Sequence, residues 1–253
     1  MTYLEGVYWD LDGTIANTEL EAHLPAFNKA FKDLGINWNW DTNKYINLLK
    51  INGGKNRLAY YAKSNNHDLS EDLILKIHEK KQFHYLEIIK NNRVHLKTGV
   101  FRLINELHRK KVRQFIVTSS SRNQVDLLVE YLFKGFNPFE FIISSEDVEI
   151  KKPDPLPYIK AIKLSDINKN NSVVFEDSIP GLKSSLAANL PTIYVPSNIP
   201  IVLDENIKLD CILDSLGDEK NVANVIKGPK LKNKYVDYRF LNDYLITVSN
   251  ATN

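Results

Sequence analysis

Apolar and polar residues follow two different rhythms along the chain. Residues 5–10 form a short, continuous apolar run of β-prone side chains, which predicts a buried strand. After residue 99 such runs alternate with amphipathic stretches of helical period. This pattern predicts strands at 114–118, 139–144, 172–175, 192–195 and 210–213, and helices at 100–110, 124–132, 156–163, 179–188 and 237–245. Such alternation is typical of a parallel sheet with right-handed crossovers.

Residues 17–96 show helical periodicity only. From Leu20 onward, apolar positions recur three and four residues apart until Gly35 ends the pattern. Further helices are predicted at 41–49, 56–64 and 70–90. We therefore predict two domains: an α/β core of residues 1–16 and 97–253, and an all-helical domain inserted after the first strand.

Composition narrows the class of protein. With 253 residues, 43% of them hydrophobic, the chain can form a core domain with an inserted module. Its 33 basic and 31 acidic residues nearly cancel, which disfavours nucleic acid or an anionic membrane as a partner. The lysine-rich residues 227–237 are expected to be solvated surface. The single cysteine, Cys211, excludes an intramolecular disulfide and lies in an apolar run typical of a core.

The N-terminus leads almost directly into the first strand, and we see no apolar stretch long enough to span a bilayer. We therefore expect neither a signal peptide nor a membrane helix, and a cytoplasmic location.

Two carboxylates, Asp10 and Asp12, follow the first strand and precede Gly13 and Thr14. If the strand stops at Asp10, Gly13 lets the backbone turn so that both carboxylates face one cleft. An Asp-Leu-Asp sequence by itself is equally compatible with a solvated turn at the end of a strand. Polar groups at the later strand ends decide between these interpretations.

Three later connections carry such groups: Ser119–Ser121, Lys151 with Lys152, and Glu176 with Asp177. Each alone is typical of a helix cap or a charged loop. Together they can converge, because parallel strands end at one edge of the sheet. Several carboxylates suit Mg²⁺, while a lysine and a hydroxyl can hold a phosphate. One carboxylate could attack phosphorus and a second could move protons, so the set predicts phosphoryl transfer.

Four motifs resemble, in order, those of haloacid-dehalogenase-type phosphohydrolases. They are Asp-Leu-Asp-Gly-Thr at 10–14, Val-Thr-Ser-Ser-Ser at 117–121, Lys-Lys-Pro-Asp-Pro at 151–155 and Phe-Glu-Asp-Ser-x-x-Gly at 175–181. The resemblance implies a Rossmann-like parallel sheet core with an inserted helical cap, as in the subgroup that includes β-phosphoglucomutase. Trp9 departs from the family, which usually has Phe there, and we expect it to alter packing and not chemistry.

The resemblance also implies roles. Asp10 would be the nucleophile that forms a phosphoaspartate, and Asp12 the general acid and base. The other catalytic and substrate-binding residues of the core would be Ser119 as phosphate ligand, Lys152 as charge-balancing lysine, and Ser120, Ser121 and Arg122. Lys151 also fits the lysine by type, but Lys152 directly precedes the proline. Mg²⁺ would be held by Asp10, the carbonyl of Asp12 and Asp177, with Glu176 as a ligand or close support.

A narrower resemblance covers about forty residues of the helical domain. Ala26-Phe27-Asn28, Trp38-Asn39-Trp40-Asp41, Tyr45 and Gly53-Gly54-Lys55-x-Arg57 are similar to the cap of CbbY-type proteins, which remove a phosphate from xylulose 1,5-bisphosphate, an inhibitor of Rubisco. It implies that the sugar and its distal phosphate face Glu19, His23, Tyr45, Gly53, Gly54, Lys55 and Arg57. Spacing alone leaves the glycine turn equally compatible with solvated charges. His23 alone is typical of a polar surface or hinge residue.

These observations predict a Mg²⁺-dependent sugar-bisphosphate phosphatase that binds a small phosphorylated sugar and is monomeric. A phosphomutase would use the same Asp10, and a phosphatase for another small metabolite would carry the same motifs. A scaffold protein on a retained fold is disfavoured because no charged catalytic position has been lost.

Overall fold

The computed structural model describes residues 3–51, 53–91, 93–199, 201–203 and 205–251. The chain divides into two compact units. One, which we call the α/β unit, comprises Met1–Asn17 and Leu96–Asn253, and the other, the helical unit, comprises Thr18–His95. The predicted domain boundaries, 16/17 and 96/97, stay a prediction.

A seven-stranded sheet forms the centre of the α/β unit in the described part of the chain. Its strands are β1 (Gly6–Trp9), β2 (Arg113–Val117), β3 (Phe139–Ile143), β4 (Ser172–Glu176), β5 (Thr192–Tyr194), β6 (Cys211–Leu213) and β7 (Val225–Lys227). Their order is β3-β2-β1-β4-β5-β6-β7, and every pair is parallel except β6 with β7. The predicted Rossmann-like parallel core is confirmed.

The strand order reverses beside β1. The chain passes outward from β1 to β2 and β3, then returns to place β4 on the other side of β1. In open α/β sheets the crevice outside the carboxyl ends of the strands, at such a reversal, is where ligands bind. A ligand site is therefore expected at the carboxyl ends of β1 and β4.

The helical unit contains four α-helices among its described residues. They are α1 (Leu24–Asp33), α2 (Thr42–Leu48), α3 (Gly54–Ser64) and α4 (Glu71–Lys90). A single π-helical turn, Glu19–His23, precedes α1. The Asp41 side chain accepts a hydrogen bond from the Lys44 amide, and the Ser70 hydroxyl accepts one from the Leu73 amide, so both caps form as their residue types predict. Phe27, Phe31 and Trp40 are fully buried in the core of this unit.

The remaining helices belong to the α/β unit: α5 (Val100–Arg109), α6 (Arg122–Phe133), α7 (Leu156–Ser165), α8 (Ile179–Ala187) and α9 (Tyr238–Ala251). One core cluster of this unit includes Tyr8, Phe115 and Tyr158, all fully buried. None of the helices in the described part of the chain has the length and apolarity needed to cross a bilayer.

Two features differ from the sequence analysis or were absent from it. The antiparallel edge strand β7 begins just before the segment expected to be lysine-rich surface, and it was missed because three residues, two of them exposed, give no periodic signal. Trp9 stacks on Phe175 with ring centroids 4.5 Å apart, and its indole N–H donates to Gln114 Oε1 at 3.2 Å. The larger aromatic side chain thus requires a buried acceptor on β2.

Candidate active site

Lys152 lies at the meeting point of three adjacent strand ends. Its ammonium donates to Asp10 Oδ1 at 2.7 Å, to the Val117 carbonyl at 2.7 Å and to Glu176 Oε1 at 2.6 Å. Asp10 follows β1, Val117 ends β2 and Glu176 ends β4. Lys152 is only 4% exposed, whereas Lys151 is exposed. The geometry therefore places Lys152, and not its neighbour, among the carboxylates.

Asp10, Glu176 and Asp177 form a compact group of carboxylates. Each offers one oxygen, these oxygens lie within 4.8 Å of one another, and all three residues are buried. These three side chains can carry three negative charges, and Lys152 supplies one positive charge in contact with the group. Buried like charges are costly without compensation, and hard oxygen donors are the ligands that Mg²⁺ takes in proteins. The donor set therefore fits a divalent cation.

The electrostatics of the group depend on burial. Burial and the neighbouring Glu176 raise the pKa of Asp10 well above its ordinary value, against the opposing effect of Lys152. Burial alone would lower the pKa of Lys152, but Asp10 and Glu176 outweigh burial and raise it. Lys152 is therefore a fixed positive charge, and Asp10 depends on nearby positive charge to stay ionised.

Gly13 brings the β1 loop against Asp177. It adopts a φ of +89°, and a Cβ at this position would lie 2.1 Å from Asp177 Oδ2. The Thr14 hydroxyl donates to Asp177 Oδ1 at 3.3 Å. Only glycine permits this approach, so the Gly-Thr pair that follows the aspartates positions the second acidic motif.

Lys97 is a site neighbour that the sequence analysis missed. Its ammonium donates to the carbonyls of Gly13 at 2.6 Å and Pro196 at 2.8 Å. Burial lowers the pKa of Lys97 to about 8, although Asp177 and Asp10 act in the opposite direction. Its position just before Thr98-Gly99, where the α/β rhythm resumes, was the available signal.

Asp12 pairs with the loop that follows β2. Ser120 donates its hydroxyl proton to Asp12 Oδ2, and its amide donates to Thr118 Oγ1 at 3.1 Å. Ser119, in the same loop, is exposed. The Asp12 carboxylate is not among the three that group around Lys152 in the described part of the chain.

Ser121 and Arg122 make local contacts at the start of α6. Ser121 is the N-cap residue and forms a capping box with Gln124. The exposed Arg122 side chain pairs with Asp126 at 3.0 Å, and its amide donates to Glu146 at 2.9 Å. Both residues therefore have structural partners, as the helix-cap interpretation of this segment expects.

Glu176 is fully buried and held from two sides. Its Oε1 accepts from Lys152 and from the Tyr158 hydroxyl, each at 2.6 Å. On the other side, a Cβ at Gly181 would lie 1.9 Å from Glu176 Oε2, so α8 approaches through a glycine. Ser178 caps α8 by accepting from the Gly181 amide at 3.2 Å. Tyr158 is a second residue that the sequence analysis missed.

In the helical unit three of the predicted residues form a chain of hydrogen bonds. The Tyr45 hydroxyl donates to Glu19 Oε2 at 2.6 Å, and Arg57 Nη1 donates to the Tyr45 oxygen at 3.2 Å. Arg57 also donates through Nε to the Leu48 carbonyl at 3.1 Å and is only 8% exposed. Its guanidinium thus holds the interior of this unit together.

Gly53, Gly54 and Lys55 lie apart from that chain, at the start of α3. Gly53 is the N-cap residue with a φ of +84°, and a Cβ at Gly54 would lie 3.2 Å from the His78 ring. Lys55 is exposed. The glycines therefore form a tight helix start that presents a lysine to solvent; Asn52, just before them, is outside the described residues.

His23 is buried, so its interpretation as a surface residue is wrong. Its Nδ1 lies 2.7 Å from the ammonium of Lys81, and its ring stacks on Tyr85 with centroids 4.5 Å apart. Lys81 is 5% exposed and lies over the rings of Phe27 and Tyr85. The sequence analysis missed Lys81 because a lysine in an amphipathic helix is normally solvated.

The chain is similar in sequence to known proteins. Residues 7–195 match the family of haloacid dehalogenase-like hydrolases. Protein CbbY of Rhodobacter capsulatus is 35% identical over 196 residues, which cover 77% of this chain and 86% of that protein. Protein CbbY of Cereibacter sphaeroides is 33% identical over 224 residues, 88% of this chain and 96% of that protein.

Solved structures show the same similarity. The D10N mutant of CbbY from Rhodobacter sphaeroides, in complex with xylulose-(1,5)bisphosphate, superimposes with a TM-score of 0.75 at 31% identity, covering 84% of this chain and 94% of that one. A β-phosphoglucomutase from Clostridium difficile, 23% identical with a TM-score of 0.66 over 84% of this chain and 91% of that one, shares the fold. The chain therefore belongs to the haloacid dehalogenase-like hydrolases and is a phosphatase of that family.

Proposed function

We propose that this phosphatase is a Mg²⁺-dependent enzyme that hydrolyses a sugar bisphosphate, with xylulose 1,5-bisphosphate as its preferred substrate. The observation that carries the proposal is the contact of one buried ammonium, Lys152, with both Asp10 and Glu176 at the switch point of the sheet. Asp177 shares the carboxylate group. We further propose that the enzyme is monomeric and acts in the cytoplasm.

In the proposed reaction Asp10 attacks the phosphorus atom and forms a phosphoaspartate, while Asp12 donates its proton to the departing sugar oxygen. Asp12 then takes a proton from the water that attacks the phosphoaspartate, which releases inorganic phosphate and restores Asp10. Ser119 and Lys152 bind the phosphoryl oxygens. Mg²⁺, held by Asp10, the Asp12 carbonyl and Asp177 with Glu176 in support, would neutralise charge on the phosphoryl group.

The fixed charge of Lys152 supports the role of Asp10. A nucleophilic carboxylate must be ionised, and burial raises the pKa of Asp10. The Lys152 ammonium at 2.7 Å opposes that shift. The contact between Ser120 and Asp12 supports a further point, namely that the loop after β2 orients the general acid.

The substrate class rests on the helical unit. We propose that the sugar and its distal phosphate bind to Glu19, His23, Tyr45, Gly53, Gly54 and Lys55, with Arg57 acting through Tyr45, and to Ser120, Ser121 and Arg122 of the α/β unit. Lys55 is exposed and can pair with a phosphate directly, whereas Arg57 is engaged with Tyr45 and Leu48. We therefore assign the phosphate contact to Lys55 and the orientation of Tyr45 to Arg57. The solved complex of CbbY with xylulose bisphosphate supports this substrate class.

A phosphate-release screen over pentulose and hexose monophosphates and bisphosphates, with and without EDTA, tests the proposal. We expect the highest kcat/KM with xylulose 1,5-bisphosphate, loss of turnover with EDTA and recovery with Mg²⁺. An isomerised sugar phosphate without free phosphate would instead identify a phosphomutase. Preference for another phosphorylated metabolite would contradict the proposed substrate and leave the phosphatase class unchanged.

A further inference from the structure

We propose that Tyr158 is a positioning residue of the phosphatase site, which holds Glu176 so that Lys152 stays against Asp10. The proposal rests on the function proposed above only in assigning Lys152 and Asp10 to the reacting centre. It concerns a side chain on α7 that belongs to none of the four sequence motifs.

The contacts of Tyr158 join the hydrophobic core to the site. The residue is fully buried, and its hydroxyl donates to Glu176 Oε1 at 2.6 Å. The same oxygen accepts from Lys152, whose ammonium lies 5.0 Å from the centroid of the Tyr158 ring. Ring and hydroxyl therefore contact both members of the Glu176–Lys152 pair.

The hydroxyl acts as a donor. A carboxylate oxygen can only accept, so the tyrosine hydroxyl, 2.6 Å from Glu176 Oε1, is the donor of this hydrogen bond. A carboxylate in a dry site needs several donors, and a charge-assisted hydrogen bond is stronger than a neutral one. Within the described residues, the other oxygen of Glu176 accepts a long hydrogen bond of 3.4 Å from the Ser178 hydroxyl.

Removing the hydroxyl would change the electrostatic interactions of the Lys152 ammonium. Glu176 would lose one of two donors at Oε1, and its charge would then be compensated chiefly by Lys152. The ammonium would be drawn toward Glu176 and away from Asp10 and the phosphoryl group. The expected defect is in the rate of the chemical step and not in the affinity for the sugar.

Tyr8 supplies a matched control in the same core cluster. It is also fully buried, and its hydroxyl hydrogen-bonds to Ser165 at 2.6 Å, which is not part of the site. Tyr8→Phe and Tyr158→Phe each delete one buried, hydrogen-bonded hydroxyl. If the Tyr158 hydroxyl had a purely structural role, both variants would show the same changes in kcat and in the unfolding midpoint.

The experiment measures kcat and KM with p-nitrophenyl phosphate, binding of inorganic phosphate by calorimetry, and the unfolding midpoint. We expect Tyr158→Phe to lower kcat about tenfold, with KM and the affinity for inorganic phosphate within about twofold of wild type. Tyr8→Phe should keep kcat and phosphate binding, while both variants lose similar thermal stability. Because this test uses p-nitrophenyl phosphate, its result does not depend on which sugar phosphate the enzyme prefers. Turnover of sugar bisphosphates by the wild-type enzyme is measured separately and tests the proposed function.

Retention of kcat by Tyr158→Phe, or an equal loss in both variants, would overturn the proposal. A rise in KM alone would do the same. If Tyr158→Phe does not fold, Tyr158→Met replaces it, since methionine fills similar space without a hydroxyl. If neither variant folds, the Tyr158 side chain serves the core, which would also overturn the proposal.

Discussion

At the scale of single residues, the two adjacent lysines at 151 and 152 have opposite environments. Lys152 is buried between Asp10 and Glu176, and Lys151 is exposed. Side-chain type does not distinguish them, and the proline that follows was the sequence evidence for Lys152. The geometry distinguishes them, because the ammonium of Lys152 compensates two carboxylates that have little access to water.

Replacing each lysine by methionine tests this difference. Lys152→Met leaves the buried carboxylates without their counter-charge, which costs about 3 kcal/mol of unfolding free energy, and it should abolish measurable phosphate release. Lys151→Met should change neither property. Urea unfolding and phosphate release measure both, and a Lys152→Met variant with wild-type turnover would remove this residue from the site.

Cys211 gives a prediction about pH. Burial, with a smaller effect of Asp210, raises the pKa of its thiol to about 12. Because the thiolate is the reactive form, alkylation of the native protein should be far slower at pH 8 than alkylation of the urea-unfolded chain, and should accelerate as the pH rises toward 12. Cys211 is the single cysteine, so mass spectrometry follows one site. Equal rates for native and unfolded protein would contradict the buried thiol.

At the scale of elements, β1 and β2 are joined by a side-chain hydrogen bond beneath the site. The indole of Trp9 donates to Gln114, whose amide donates in turn to the Ile104 carbonyl on α5 at 3.0 Å. The strand that precedes Asp10 is thus tied through β2 to a helix. Sequence analysis identified Trp9 as unusual but gave no sign of its partner on another strand.

A double-mutant cycle measures this link. Gln114→Leu leaves the indole N–H buried without an acceptor and should cost about 1–3 kcal/mol of unfolding free energy. Adding Trp9→Phe removes the unsatisfied donor, so the double variant should be more stable than Gln114→Leu alone. If the two substitutions are simply additive in urea unfolding, the hydrogen bond does not contribute as described.

Helix α3 carries two residues, Lys55 and Arg57, to which we assign different functions. Lys55→Ala should raise KM about tenfold for a bisphosphate and leave monophosphates nearly unchanged, because only the distal phosphate loses a partner. Lys63 is an exposed lysine near the end of the same helix, so Lys63→Ala is the control and should leave the KM unchanged for both substrate classes. Steady-state kinetics with matched mono- and bisphosphates give the answer, and equal rises in KM for both classes would contradict the assignment of Lys55.

At the scale of the whole molecule, the sequence predicted what depends on repeated patterns. Apolar runs followed by polar residues identified β1, β2 and β4, and parallel topology then implied that Asp10, Glu176 and Asp177 would meet. Side-chain contacts between different elements have no repeated pattern in the sequence from which they could be predicted. Tyr158 and Lys81 each lie on a helix whose sequence gives no hint that one polar atom points inward, and β7 is too short for a periodicity. The π-helical turn at Glu19–His23 likewise has no signal in residue type.

At this scale, the proposed chemical consequence of the converging strand ends is the transfer of a phosphoryl group to Asp10. Asp12→Asn should slow hydrolysis of the phosphoaspartate, because the attacking water loses its base. With p-nitrophenyl phosphate, whose leaving group needs no proton, the intermediate should still form and accumulate.

The most direct measurement is therefore peptide mass spectrometry of Asp12→Asn, quenched in acid after mixing with p-nitrophenyl phosphate and Mg²⁺. We predict one added phosphoryl group per chain, located on Asp10 and absent from the Asp10→Asn/Asp12→Asn double variant. A burst of nitrophenol with no phosphoryl group on Asp10, or with the group on another residue, would contradict the nucleophilic role of this carboxylate.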